Sequence, residues 1–264
     1  MRDTPTPRRF YVHDDLTDDV RERHGAGSPT AELAQTLMAL VRRDTPRVTV
    51  LTVREQIEAL VARGQHAPFA LAVGIGPAGE RVARQLHARA GWFPTIARVD
   101  LTREEDGRGG YAVVSPTGVP LAHQLAGVGV EHATSLAVVD DTIFSGITLR
   151  QVIEGLSPML RARTHAFCLR CVEESLAPLR ALCPVAAGFA APGHILDEIS
   201  FINASGLVRR GSIRRSGLAP LAFFERPEWM HAWFPGHGDD VIALCRRLNG
   251  LLEPTGVPSL PAVV

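Results

Sequence analysis

Lysine is missing altogether. All 28 basic residues are arginine, 28 acids balance them, and the formal charge is zero. A chain without surplus positive charge lacks the summed field on which general nucleic-acid and membrane-surface binding depend, so neither partner is expected, and any cationic task falls to Arg or His. Cysteine is scarce. Cys168, Cys171, Cys183 and Cys245 stand in apolar contexts in 264 residues, too few for a disulfide scaffold at this size. Cys168 and Cys171 form a C-x-x-C inside THAFCLRCV, which reads as a strand. Without a second Cys/His pair, the pattern points to buried thiols rather than zinc or redox chemistry. No apolar run approaches the ~20 residues of a bilayer span, and MRDTPTPRRF lacks the apolar centre of a secretion signal. A cytoplasmic location is the expectation.

What is present is an alternation of apolar strands and amphipathic helices. Residues 1–28 are polar and mixed and predict an arm or irregular cap. SPTAELAQTLMALVRR predicts a helix with a Ser/Thr N-cap, RVTVLTV a strand, VREQIEALVARG a helix ending at Gly64, and FALAVGIG a strand running into glycines. PAGERVARQLHARAG predicts a helix with Pro77 near its first position and Gly91 beyond its end. FPTIARVDL, YAVVS, TSLAVVD and THAFCLRCV predict strands, LTREEDGRGG a polar loop, and SGITLRQVIEGLSPML and EESLAPLRALC helices. Continuous apolar strands between helices mean a parallel sheet covered on both faces. After Pro184 the rhythm breaks into a stretch rich in Gly, Arg and aromatics, closed by the helix GDDVIALCRRLNGLL and a tail. Trp229, Trp233 and Phe234 in that stretch could stack on an acceptor ring or pack the added segment onto the core. The expected division is an N-terminal arm and helix over 1–47, an α/β core over 48–187 and a C-terminal extension over 188–264.

The sharpest stretch is LAVVDDTIFSGIT, Leu136 to Thr148. A buried strand has no use for Asp140 and Asp141, and a surface turn has none for the four apolar residues before them. In an open parallel sheet, ligands bind beyond the carboxyl ends of the strands. A helix beginning just after the acids would present unpaired N–H groups and partial positive charge, with Ser145, Gly146 and Thr148 as donors. That is a seat for phosphate, and adjacent carboxylates suit vicinal hydroxyls. The stretch is built for a sugar phosphate.

LAVVDDTIFSGIT resembles the phosphoribosyl-diphosphate (PRPP) signature of the type I phosphoribosyltransferases: mostly apolar residues, two acids, a short variable piece, then Thr/Ser-Gly-x-Thr. The resemblance implies a phosphoribosyltransferase-like α/β fold, a parallel sheet flanked by helices, with the N- and C-terminal additions forming a hood over an acceptor. It implies that Asp140 and Asp141 take the ribose hydroxyls and stand beside a Mg²⁺ ion, indirectly through water or those hydroxyls. Thr142, Phe144, Ser145, Gly146, Ile147 and Thr148 would line the 5′-phosphate loop. Phe144 departs from the small or hydroxyl residue usual there, though a main-chain N–H contact survives the change.

A second signal competes. Gly74-x-Gly76-x-x-Gly79 lies between a strand and a helix, with Asp100 at the next strand end, which taken alone suggests dinucleotide binding. The resembled family also carries a tight glycine loop there, for diphosphate, and both readings demand backbone close to phosphate. Only the transferase reading also explains Asp140 to Thr148, so Gly74, Ile75, Gly76, Pro77, Ala78 and Gly79 are assigned to diphosphate. In ARVDLTREEDGRGG, Arg98, Arg103 and Arg108 lie where an orotate-type member would want lid cations, and Gly107, Gly109 and Gly110 permit hinging.

The implied activity is Mg²⁺-dependent transfer of 5-phosphoribosyl from PRPP to a small-molecule acceptor, a nucleobase or a specialised-pathway hydroxyl or amine, with loss of diphosphate. A homodimer is compatible with it. The competing readings are a non-catalytic sensor of PRPP or a nucleotide on the same fold, a PRPP synthetase, disfavoured by the absence of an internal repeat, and a dinucleotide oxidoreductase resting on GIGPAG alone.

Overall fold

Phe10, Tyr11 and Val12 come directly after a charged, proline-bearing start, and they are the first residues with apolar surface to bury. The computed structural model of the chain describes residues 6–7, 9–64, 66–105, 110–192 and 201–253. In it this run is β1 (Phe10–Asp14), buried at all five positions. Next come α1 (Leu16–His24), α2 (Pro29–Val41) and β2 (Val48–Thr52). The Ser28 hydroxyl accepts the Ala31 N–H at 3.1 Å, and Pro29 is the next residue, the cap and first-turn chemistry expected of this helix start. β2 runs parallel to β1, with Phe10 opposite Val48 and Asp14 opposite Thr52. The irregular arm expected over 1–28 is therefore corrected to a strand and a helix. FYVHD is too short for its period to stand out between charged neighbours. Its drive is tertiary: Phe10 stacks on Trp233 at 5.4 Å and meets Phe234 edge-on at 5.6 Å.

The middle of the chain gives α3 (Val53–Ala62), β3 (Leu71–Ile75), α4 (Gly76–Ala90), β4 (Ile96–Val99), β5 (Thr102–Glu105), β6 (Tyr111–Val114) and α5 (Leu121–Gly127). It continues with β7 (Leu136–Ile143), α6 (Ile147–Glu154), α7 (Pro158–Arg161), β8 (Thr164–Val172), α8 (Leu176–Arg180) and β9 (Val185–Ala191). Five strands form a parallel sheet in the order β4-β3-β7-β8-β9. Successive side chains point to opposite faces. Leu71, Val73, Leu136, Val138, Ala166 and Cys168 pack with Leu149, Val152, Ile153, Leu176 and Leu179. Ala72, Ala137, Val139, Phe167 and Leu169 pack with Ile57, Leu60, Val82, Ala83 and Leu86. Helices cover both faces, which is why the strands read as continuous apolar runs. The fold is α/β with a central parallel sheet flanked by helices, as expected from the sequence.

Three details differ from expectation. Thr102–Glu105, expected in a polar loop, is a strand paired antiparallel with Tyr111–Val114, with Thr102 opposite Val114 and Glu105 opposite Tyr111. The helix after Gly146 stops at Glu154 and restarts as α7, where the Ser157 hydroxyl accepts the Leu160 N–H; Ser157 and Pro158 form a fresh helix start. The break expected after Pro184 does not begin there: β9 (Val185–Ala191) follows Pro184 directly and adds the outer strand beside β8.

The chain then returns with β10 (Phe201–Asn203), α9 (Ala204–Val208), β11 (Ile213–Arg215), β12 (Leu218–Leu221), α10 (Pro227–Trp233) and α11 (Gly238–Leu252). β10 pairs with β1 in parallel, Val12 opposite Ile202, giving a second sheet in the order β10-β1-β2. Phe10, Leu37, Met38, Ile202, Leu207, Met230, Trp233, Phe234, Cys245 and Leu248 share its core. The two compact units are Met1–Thr52 with Asp197–Val264, and Val53–Leu196, here the terminal and the central unit. The boundary at Thr52 rather than 47 reflects β2, whose ladder is with β1, and the boundary at Leu196 rather than 187 reflects β9, which completes the parallel sheet.

Candidate active site

β7 is fully buried from Leu136 to Val139 and opens at Asp140, Asp141 and Thr142 before closing again at Ile143. The apolar half anchors the strand centrally in the sheet, and the polar half emerges at its carboxyl end, the edge where parallel sheets bind ligands. The two acids are held differently. The Asp141 backbone N–H donates to Asp140 Oδ1 at 2.8 Å. Asp141 Oδ2 accepts from the Thr142 hydroxyl at 2.8 Å and from Arg170 Nη2 at 3.1 Å. Burial and the neighbouring Asp141 carboxylate push the Asp140 carboxyl well above the ordinary range, while the Arg103 guanidinium pulls the other way. The pair is thus asymmetric. Arg170 compensates Asp141, and Asp140 carries the cost of two adjacent carboxylates.

The next loop is fixed from below. The Ser175 hydroxyl donates to the Phe144 carbonyl, and Gly146 sits at φ +73°, the left-handed region, with Leu179 against it. A Cβ there would be strained and would come within 3.0 Å of Leu179 Cδ1. Gly146 is the N-cap of α6, whose first turn carries no acid. Its opening N–H groups therefore keep their partial positive charge beside the acid pair. Ser145, Ile147 and Thr148, all half-buried, line this start. The structure brings Asp140, Asp141, Thr142, Phe144, Ser145, Gly146, Ile147 and Thr148 together as one turn.

The glycines of GIGPAG divide their duties. A Cβ on Gly79 would lie 2.4 Å from the Val139 carbonyl oxygen, and one on Gly74 would lie 2.3 Å from the Glu80 nitrogen. Both serve the close passage of α4 over β3 and β7. Only Gly76 has the conformation of a ligand loop: its φ is +62°, and the nearest atom to its Cβ position is the Leu101 carbonyl oxygen at 4.0 Å. It is the first residue of α4, ahead of Pro77 and Ala78, with Ile75 as N-cap. Because Gly74 pairs with Val139 across the β3–β7 ladder, this turn leaves the sheet one strand away from Asp140.

Arg98 does not face this turn as an uncommitted cation. Its Nε lies 3.0 Å from Asp100 Oδ1 and its Nη1 3.3 Å from Glu80 Oε2. Asp100, the acid of the dinucleotide reading, is occupied by the same pair and held further by Gln124 Oε1, which accepts its N–H at 2.6 Å. Arg103 is the one of the three arginines placed beside the acid pair among the described residues: from β5 its guanidinium lies 5.3 Å from the centre of the Phe144 ring, a cation–π distance, and its charge reaches Asp140. Phe144, the departure from the family pattern, thereby has a structural partner. Arg108, Gly107 and Gly109 lie outside the described residues.

Two residues of the site have no counterpart in the sequence reading. Arg170 is fully buried on β8, opposite Thr142, and its signal was available: a lone arginine in the apolar strand AFCLRCV must meet a buried carboxylate. Ser175 has no such signal, being one serine among many loop hydroxyls. Cys168 is bracketed by these groups. A hydrogen bond with the Cys171 thiol, then burial and the charge of Asp140, hold it well above the ordinary thiol range. All four cysteines are buried and free.

Among the described residues no three or more His, Cys, Asp or Glu side chains gather into a metal cluster, and no helix is long and apolar enough to cross a membrane. No protein-family model matches the chain, and no curated protein does. Solved structures to which it is similar include a purine phosphoribosyltransferase from Pyrococcus horikoshii, at 17% identity and a TM-score of 0.38 over 57% of this chain and 85% of that one. An orotate phosphoribosyltransferase from Aeropyrum pernix gives 20%, 0.34, 51% and 69%. A Helicobacter pylori xanthine-guanine-hypoxanthine phosphoribosyltransferase gives 17%, 0.35, 56% and 86%.

Proposed function

We propose that the central unit transfers a 5-phosphoribosyl group from PRPP to a small-molecule acceptor, a nucleobase or a hydroxyl- or amine-bearing metabolite, and releases diphosphate. One observation carries this reading: an acid pair at the carboxyl end of a central parallel strand turns, within five residues, into a glycine-capped helix start free of acids in its first turn. Carboxylates accept hydroxyl protons, and main-chain N–H groups receive phosphate oxygens. The two functions lie one turn apart, as ribose hydroxyls and a 5′-phosphate require.

Each group then has a task. Asp141, paired with Arg170, is held in orientation for a ribose hydroxyl. Asp140 takes the neighbouring hydroxyl. The α6 start and the Ser145 and Thr148 hydroxyls hold the phosphate. Gly76 gives diphosphate an approach to main-chain N–H. Arg103, stacked on Phe144, supplies positive charge on the side from which diphosphate leaves, where leaving-group charge must be neutralised. Breaking the C1–oxygen bond develops oxocarbenium character on the sugar, and the Asp140–Asp141 pair is the nearby negative charge that favours it. Mg²⁺ fits this donor set: it prefers hard oxygen ligands and is commonly held by one or two carboxylates together with substrate phosphates and water. Asp140 and Asp141 would hold it through water or the ribose hydroxyls, and it would offset charge on the diphosphate.

The test is direct. The chain with PRPP and Mg²⁺ is expected to release diphosphate in the presence of one member of an acceptor panel, and Asp140→Asn with Asp141→Asn to abolish release while the protein stays folded. An unchanged rate in that double variant overturns the assignment. Tight PRPP binding with no turnover on a broad panel points instead to a non-catalytic sensor. Binding of NAD without PRPP points to the dinucleotide reading.

A further inference from the structure

We propose that Arg170 is a positioning residue that sets the preference of this site for a hydroxyl-bearing sugar phosphate by fixing the Asp141 carboxylate; the proposal rests on the phosphoribosyl reading above. Arg170 has no solvent exposure, whereas Asp141 is one-fifth exposed. The guanidinium reaches Asp141 from the neighbouring strand, 29 residues on, through Nη2 at 3.1 Å, and the Thr142 hydroxyl joins it on the same oxygen. Two donors on one carboxylate oxygen define the plane and rotamer of the group. Asp140 is held by other means, through the N–H of Asp141, and the phosphate seat by others again, through Ser175 and Gly146. Arg170 is therefore coupled to the hydroxyl-binding half of the site through Asp141.

A buried guanidinium is expensive to desolvate, and an apolar side chain of similar volume often stabilises a fold as well or better. An arginine at this position makes sense for orientation. Its rigid plane fixes where Nη2, the nitrogen that reaches Asp141, is presented, which the rotating ammonium of lysine does not. Changing it should loosen Asp141 while leaving the α6 amides in place.

The experiment compares two ligands in the full chain with Mg²⁺: ribose 5-phosphate, which engages both halves, and inorganic phosphate, which engages only one. The wild type should prefer ribose 5-phosphate. Arg170→Lys, which keeps the charge and hence the fold, should reduce that preference about tenfold, the worth of one charge-assisted hydrogen bond, with phosphate affinity within about twofold of the wild type. Arg170→Met combined with Asp141→Asn removes both charges together and should show the same preference as Asp141→Asn alone, since residues acting through one group are not additive. An unchanged preference in Arg170→Lys, or additive losses in the combined variant, overturns the role of Arg170 and leaves the phosphoribosyl reading standing. A wild type with no preference for ribose 5-phosphate overturns that reading and the proposal with it.

Discussion

Two strands of this protein carry Asp-Asp near their carboxyl ends, Asp14 and Asp15 at the end of β1 and Asp140 and Asp141 two residues inside the end of β7, and they use it in different ways. β7 carries LAVVDD and β1 runs out through FYVHDD; each lies between two parallel neighbours. In β1 the acids are consumed locally. Asp14 accepts the Thr17 N–H and hydroxyl, both at 3.0 Å, and pairs with Arg42 at 3.4 Å, while Asp15 accepts the N–H and hydroxyl of Ser205. They cap α1 and fasten α9 to β1. In β7 the acids are partly buried, Asp141 one-fifth exposed and held by Thr142 and Arg170, with the nearest helix start given over to glycine. The dipeptide is therefore not the signal; the residues after it are. A threonine three residues beyond the first acid closes the site in β1, whereas Ser-Gly-x-Thr after a three-residue spacer leaves it open in β7.

Substituting both pairs breaks this comparison most sharply. Asp140→Asn, which leaves the Asp141–Arg170 pair intact, is expected to lower phosphoribosyl transfer at least about a hundredfold, the scale of a lost transition-state contact, with little change in melting temperature, whereas adding Asp141→Asn should also cost stability because it strips the buried Arg170 of its carboxylate. Asp14→Ala is expected to do the reverse: a loss of about 1–2 kcal/mol of stability, as for a deleted helix cap, measured by urea unfolding, with PRPP affinity unchanged. Equal effects from both would mean that the β7 pair is another structural lock.

The same contrast explains what could be read in the sequence. The central unit was legible because its strands are buried on both faces, so Leu136 to Val139 and Leu71 to Ile75 advertise themselves, and because α4 carries Pro77 and Gly91 at its ends. The acid pair and its loop were legible because they violate the strand they terminate. The terminal unit was not, because its sheet is assembled from strands of five, five and three residues separated by much of the chain, and nothing local in FYVHD or FIN announces that they pair. Two of the aromatics that could have stacked on an acceptor belong to its core instead: Trp233 and Phe234 are fully buried. Arg98 shows the converse error, a cation in the right segment whose charge is taken by Glu80 and Asp100. Where partners are long-range, residue type alone does not say who will claim a charge.

Gly79→Ala sharpens the comparison at intermediate scale. Its methyl group would overlap the Val139 carbonyl, a backbone atom that cannot step aside, so an overpacking cost of about 1–3 kcal/mol is expected, together with displacement of the strand end that carries Asp140. Both stability and PRPP affinity should fall. Gly25→Ala in the terminal unit, strained by its φ of +86° and ψ of 146° but with nothing within 4 Å of its Cβ position, should cost about 1–3 kcal/mol through backbone strain and leave affinity alone. A Gly79→Ala protein with full affinity would show that α4 and β7 need not pack this closely for the acids to work.

The smallest expected effect is a pH response confined to the central unit. His66 and His165 lie with Trp92, Phe69 and Phe167, His66 at 4.8 Å from the Trp92 ring and 6.0 Å from His165. Burial lowers both from the ordinary histidine value, and His165 lowers His66 further. In the unfolded chain both titrate near 6.5, so between that pH and their lower folded values the unfolded state binds more protons. Stability from this cluster is complete above about pH 6.5 and declines as the pH falls through and below it. Trp92 reports the central unit and Trp229 and Trp233 the terminal one, so fluorescence melting of Trp92→Phe beside the wild type assigns the transition. The Trp92 signal should shift to lower temperature between pH 7.5 and 5.5, and His66→Phe with His165→Phe should flatten that shift. A shift carried by the Trp229 and Trp233 signal instead would place the titrating groups in the terminal unit, against the burial that His66 and His165 share.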